Sequence, residues 1–306
     1  MSLRARLLNG WLRRVEKPFL ARCEDPKLLR NRFETTARLL FHPPRGTQMQ
    51  WHVLEHGQRR IEVLDVVPRE LESDGVILYL HGGGFVFGSP RVYAAMAAQI
   101  GKRLKARAVL PKYRLAPEAP FPAAFEDVRL AWDGLIGSGV QPGQIVIGGD
   151  SAGGALALGL LGQLVAEKMP LPAGVFCFSP LTDMTYSGES FAKNAEAEVL
   201  LAAERASHMA ELYLAGHSHT DPRVSPLFAD FQVAPPVWIS VGDTEILYDD
   251  ARRMAARLKE QGVAATLHEG RDLPHVWPMF HNTLPEARET LDALAACLRQ
   301  RLAAPA

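Results

Sequence analysis

Apolar residues at Leu3, Leu7, Leu8, Trp11, Leu12, Val15 and Phe19 recur at helical spacing with basic residues between them, which predicts an amphipathic helix at the start of the chain. Its stripe is expected to pack on the rest of the protein as a cover over a pocket; contact with a lipid interface is the rival reading. From Trp51 the period shortens. Trp51–Glu55 and Ile61–Val67 alternate apolar and polar residues around a turn containing Gly57, as a hairpin does. Short, nearly continuous runs rich in Val, Ile and Leu come next at Gly75–Leu80, Ala106–Pro111, Gln144–Gly148, Gly174–Ser179, Pro236–Val241 and Ala264–Glu269. Runs of this kind read as strands buried on both faces of a parallel sheet. Helical stretches are expected between them at Tyr93–Arg103, Ala124–Leu135, Ala152–Lys168 and Asp250–Gln261, with Ala287–Leu302 closing the chain. The alternation predicts an α/β sheet with helices on both faces.

One segment breaks the rhythm. More than fifty residues separate the strand ending near Ser179 from the one starting at Pro236, with a helix expected at Ala203–Leu214 and turn-rich stretches at Ser187–Ser190 and His217–Ser225. An insertion of this length in a tight α/β chain points to function.

Charge and composition exclude several classes. Lys+Arg and Asp+Glu are both 34 in 306 residues, so the sustained positive field of a nucleic-acid binder or polybasic membrane-surface protein is missing. No apolar run reaches the ~18 residues of a membrane span, and the arginine-bearing start lacks the apolar core of a secretory signal. Three cysteines without paired spacing, Cys23, Cys177 and Cys297, argue against a disulfide scaffold or a zinc site. The expectation is a cytoplasmic globular protein with no cofactor, no metal, no nucleic-acid partner and no stable membrane insertion; monomer or homodimer is left open.

The chemistry is concentrated in three places. Gly149-Asp150-Ser151-Ala152-Gly153 follows the strand Ile145-Val146-Ile147 and opens a helix. A serine on such a strand–turn–helix elbow presents its hydroxyl at the carboxyl end of the sheet. The Ala152 amide, at a helix N-terminus, is placed to help bind an oxyanion. His81-Gly82-Gly83-Gly84 follows another strand, and residues without side chains let further amides approach a substrate oxygen. Phosphate-binding spacings are absent. A base and an acid should come later in the chain in the order Ser, Asp/Glu, His. His275 alone among the ten histidines lies in a loop after the last expected strand. For the acid, Asp249 and Asp250 precede a helix as capping or first-turn residues, which leaves Asp243 and Glu245 on the loop.

His81–Gly84, the stretch from Tyr113-Arg114-Leu115-Ala116-Pro117-Glu118 to Phe121-Pro122-Ala123-Ala124, Gly149–Gly154 and Asp221-Pro222-Arg223-Val224-Ser225-Pro226 together resemble the hormone-sensitive-lipase-like esterases, the bacterial family IV branch of the α/β-hydrolases. The resemblance spans roughly Val76 to Trp277. It implies one α/β-hydrolase domain over residues 1–306, with a mostly parallel eight-stranded sheet, flanking helices and a helical cap from about 1–45 and about 183–220. It implies Ser151 as nucleophile, His275 as base, and oxyanion amides at Gly83, Gly84 and Ala152. The family's acid motif, G-x-x-D-P-L, reads Gly242-Asp243-Thr244-Glu245-Ile246-Leu247 here. The acid therefore falls on Glu245, a departure from Asp, with Asp243 and Asp249 as alternatives. Phe85, Phe87, Met184, Phe191 and Trp277 are candidates to line an acyl pocket. The expected activity is that of a serine carboxylesterase on small, apolar, neutral esters with short to medium acyl chains, working through an acyl-enzyme. A non-catalytic ligand receptor and an interfacial long-chain lipase are the competing readings.

Overall fold

The computed structural model describes residues 1–72 and 74–302. A hairpin, β1 (Gln48–His56) and β2 (Arg59–Val67), precedes β3 (Val76–Leu80), β4 (Arg107–Pro111), β5 (Ile145–Asp150), β6 (Gly174–Phe178), β7 (Val237–Gly242) and β8 (Ala265–Gly270). They form one sheet in the order β1-β2-β4-β3-β5-β6-β7-β8. The pairs β1/β2 and β2/β4 are antiparallel and all others parallel.

Alternate side chains of a strand face opposite sides, and here both sides are covered. In β3, Val76, Leu78 and Leu80 join the core under α5 (Ala123–Gly137), α6 (Ala152–Ala166) and α9 (Tyr248–Glu260). Ile77 and Tyr79 join the core under α4 (Pro90–Leu104) and α10 (Pro285–Leu302). That double burial is why β3, β5, β6 and β7 read as continuous apolar runs; β8, expected to be buried on both faces, is an edge strand with most of its residues half-buried or exposed.

The first helix is not one helix. It runs as α1 (Leu3–Trp11), a π-helical turn (Leu12–Glu16) and α2 (Lys17–Arg22), with α3 (Pro26–Leu40) after it. A π turn takes an extra residue and rotates the helix beyond it, so the apolar stripe is split. Leu12 is buried and Trp11 half-buried, while Leu3 and Leu7 stand 69% and 68% exposed. The expectation that the whole stripe packs on the protein therefore holds only for part of it. The long insertion holds α7 (Glu189–Lys193) and α8 (Ala203–Leu214). Lys17 Nζ donates to the carbonyls of Ala195 at 2.8 Å and Glu198 at 2.7 Å, and Arg13 Nη2 to that of Ala197 at 2.9 Å. These bonds tie the N-terminal helices to the insertion across the carboxyl edge of the sheet. Among the described residues no helix is long and apolar enough to cross a membrane.

Candidate active site

Ser151 sits between β5 and α6 with φ 51° and ψ −119°. This sparsely populated conformation costs of order 1–3 kcal/mol and persists only where surrounding contacts enforce it. Close crossing enforces it here: a Cβ on Gly153 would lie 2.0 Å from the Leu80 carbonyl oxygen. The Ser151 amide donates to the Phe178 carbonyl at 2.9 Å.

In the cavity that the serine lines, His275 Nδ1 is bonded to Glu245 Oε2 at 2.7 Å. Both side chains are buried, at 6% and 1% exposure. That is the imidazole's one hydrogen bond among the described residues, and it leaves Nε2 free. Glu245 Oε1 is held in turn by the Gly242 amide at 2.6 Å and by Ser179 Oγ at 2.8 Å. Ser179 Oγ also accepts from the Val276 amide at 3.1 Å, so one hydroxyl fixes both the acid and the chain beside the base. The other acids of this loop are engaged elsewhere. Asp243 Oδ1 accepts from the Asp272 amide, Asp249 Oδ2 from the Ser190 amide, and Asp250 Oδ1 from the amides of Thr182 and Asp183.

Burial alone would lower the His275 pKa. The bond to Glu245 and the nearby carboxylates of Glu245, Glu198 and Asp150 outweigh it, and the pKa stands above its ordinary value. Glu198, fully buried next to Glu245, is raised by desolvation and by that neighbour's charge. Asp150 is raised to about 7 by burial, although Tyr79 Oη at 2.7 Å and the Gly82 amide at 3.0 Å donate to its carboxyl.

The glycine loop after β3 curls so that the amides of Val86 and Phe87 both donate to the Gly83 carbonyl at 3.0 Å. Gly83 has φ +115°, and a Cβ there would strike the Phe87 carbonyl oxygen at 2.1 Å, so only glycine fits. His81 anchors the loop from beneath, its ring stacked 4.2 Å from that of Tyr113, whose hydroxyl donates to the His81 carbonyl at 2.7 Å. Burial lowers the His81 pKa to about 4 and keeps the ring neutral. The stretch after β4 braces the region further. Arg114 forks onto Asp127 at 2.8 Å, and Glu118 pairs with Arg30 of α3 at 2.7 Å, which pulls the Glu118 pKa down to about 2. Arg30 also donates to the carbonyls of Val86 and Ala116.

Gly83, Gly84, Ser151 and His275 line a mostly apolar cavity whose far walls come from α1–α3 and α8. Phe85 and Phe87 line it as expected, Phe85 stacked 3.8 Å from Tyr213 and Phe87 edge-on to Phe33 at 5.1 Å. Three expected pocket residues do not. Met184 is buried in the core beside the sheet, its amide bonded to Ser225 Oγ. Phe191 lies on the far side of Tyr186, stacked on it at 4.2 Å, and Tyr186 takes the wall position. Trp277 points away, with Nε1 donating to Thr290 Oγ1 of α10 at 2.9 Å, because Val276 at φ 52° turns the chain between it and His275. Leu201, Ala206 and Met209 of the insertion line the cavity instead.

A family model described as alpha/beta hydrolase fold matches residues 77–279. An acetyl-hydrolase of Streptomyces hygroscopicus is 38% identical over 232 residues, covering 76% of this chain and 78% of that protein. An esterase of Acinetobacter venetianus is 33% identical over 230 residues, covering 75% and 76%. The crystal structure of an esterase from the bacterial hormone-sensitive lipase family superposes with a TM-score of 0.91 at 35% identity over 99% of both chains. EstE5 soaked with p-nitrophenyl butyrate does so with 0.92 at 34% identity, over 99% of this chain and 100% of that one. Fold and site thus define an α/β-hydrolase. More narrowly, the chain belongs to the hormone-sensitive-lipase-like esterases and is a carboxylic ester hydrolase.

Proposed function

We propose that the protein is a serine carboxylesterase for short- to medium-chain acyl esters, with Ser151, His275 and Glu245 as its triad. The observation that carries this reading is the buried 2.7 Å bond between Glu245 and His275, in a mostly apolar cavity that a serine on a strained elbow also lines. Ser151 Oγ attacks the ester carbonyl while His275 Nε2 takes its proton. The tetrahedral oxyanion is held by the amides of Gly83, Gly84 and Ala152. His275 returns the proton to the leaving alcohol, an acyl-enzyme remains, and water activated by the same imidazole releases the acid. Glu245 keeps Nδ1 protonated and stabilises the imidazolium. The N-terminal helices and the insertion act as a cap that excludes water and sizes the acyl chain. A cytoplasmic address is consistent with Cys23, Cys177 and Cys297 remaining free thiols.

The test is a panel of p-nitrophenyl esters of rising acyl length run with wild type and Ser151→Ala. The wild-type optimum should lie among the shorter chains, and the variant should lose at least about a thousandfold in kcat. Full activity in the Ser151 variant would sink the scheme. Exposed Leu3 and Leu7 favour, as a second reading, action at an ester–water interface. A jump in rate as the substrate passes into droplets would support it.

A further inference from the structure

Five of the side chains that line the cavity carry a carboxyl, a guanidinium or an imidazole: Glu16, Arg32, Asp150, Arg205 and His275. Four of them are matched. Arg32 leaves its Nε without a partner, but Nη2 meets Glu16 Oε1 at 2.8 Å and the guanidinium lies 4.1 Å over the Phe19 ring. Asp150 is held by Tyr79 and Gly82, and His275 by Glu245. Arg205, on α8, is the exception. It is only 7% exposed, and its Nε and Nη2 have no hydrogen-bond partner among the described residues. Burying a guanidinium without an acceptor is costly, and a native structure that keeps one calls for an explanation at the site itself. Nε and Nη2 are closed off by the surrounding side chains, so the nitrogen left to meet an anion in the cavity is Nη1.

The position of α8 says where such an anion would sit. Met209 lies four residues beyond Arg205 and shares its face. A Cβ on Gly84 would lie 2.8 Å from Met209 Sδ, so Met209 covers the glycine loop. Arg205 therefore stands one helical turn along α8 from the residue that covers the glycine loop, in the wall of the same cavity. We infer that Arg205 is the subsite for a carboxylate carried by the substrate a few bonds from the scissile carbonyl, so that half-esters of dicarboxylic acids are preferred over neutral esters of equal length. The inference rests on the esterase reading above and narrows its substrate class. A neutral ester fills the apolar walls but leaves the guanidinium unpaired; a half-ester fills both.

The experiment compares monoethyl adipate with ethyl hexanoate by pH-stat titration at pH 8, where the free carboxyl is ionised, and reads the ratio of their kcat/KM values. Wild type should give a ratio above one. Arg205→Leu should lower the ratio at least about tenfold, chiefly through KM for the half-ester, with Arg205→Lys between the two. Should the leucine variant fail to fold, Arg205→Gln takes its place. A wild-type ratio below one overturns the inference, and so does a ratio unchanged across the variants, because a purely structural arginine would depress both substrates alike. Loss of the esterase reading is distinguishable: wild type would then hydrolyse neither ester.

Discussion

Glu245 reaches His275 with one methylene more than an aspartate would use, and that reach depends on Ser179 and the Gly242 amide holding its second oxygen. In Glu245→Gln those two bonds keep the amide oxygen in place and turn the NH2 toward Nδ1, where two donors meet. We expect kcat to fall by about 10³–10⁴. The acid limb of kcat/KM should move to lower pH, because the carboxylate that raises the His275 pKa is gone; a limb that stayed in place would remove Glu245 from the base's support. Ser179→Ala deletes a buried hydroxyl bonded to both Glu245 and the Val276 amide. A loss of about 1–2 kcal/mol at that point corresponds to roughly a tenfold drop in kcat, which steady-state kinetics would read directly. Ser151 and the glycine loop stand out in the sequence because each belongs to a short motif, and His275 because it lies in the loop after the last strand. Ser179 and Glu198 do not: one is the residue after a strand and the other an ordinary acid in a long insertion, and only the fold brings them against Glu245.

At the level of elements, strand and helix positions came from hydrophobic period, since burial on both faces of the sheet leaves an unmistakable apolar run. The helices over the cavity were harder to read. α3 escaped because it faces protein only along a narrow strip, and the π turn at Leu12–Glu16 cannot be read from a period that assumes regular α geometry. The same narrowness makes α3 depend on a few polar ties. Arg30 joins it to the loop behind the glycines through the carbonyls of Val86 and Ala116 and to Glu118. Arg30→Ala should lower the melting temperature by about 2–6 °C and raise KM for esters more than it lowers kcat. Calorimetry and steady-state kinetics on the same sample would check both, and an unchanged KM would mean that the cavity wall does not need Arg30.

For the molecule as a whole, the buried acid behind the nucleophile bears on stability. Asp150 has its pKa raised to about 7, so the folded state keeps it protonated where the unfolded chain ionises it. Its contribution is present in full below about pH 4 and lost as pH rises through about 7. Asp150→Asn can retain the acceptor for Tyr79 and Gly82 without that titration. The melting temperature of the variant relative to wild type should therefore climb between about pH 4 and pH 7, and a constant difference over that range would contradict the assignment. The bonds from Lys17 and Arg13 to the carbonyls of residues 195, 197 and 198 also bear on how the protein comes into being. The N-terminal helices leave the ribosome about 180 residues ahead of their partners, an interval on the order of ten to forty seconds at ordinary synthesis rates. Throughout that interval Trp11, Leu12 and Phe19 have no wall to complete. The cavity is thus among the last parts of the molecule to exist, and a nascent chain bearing a finished serine elbow still lacks the place in which to use it.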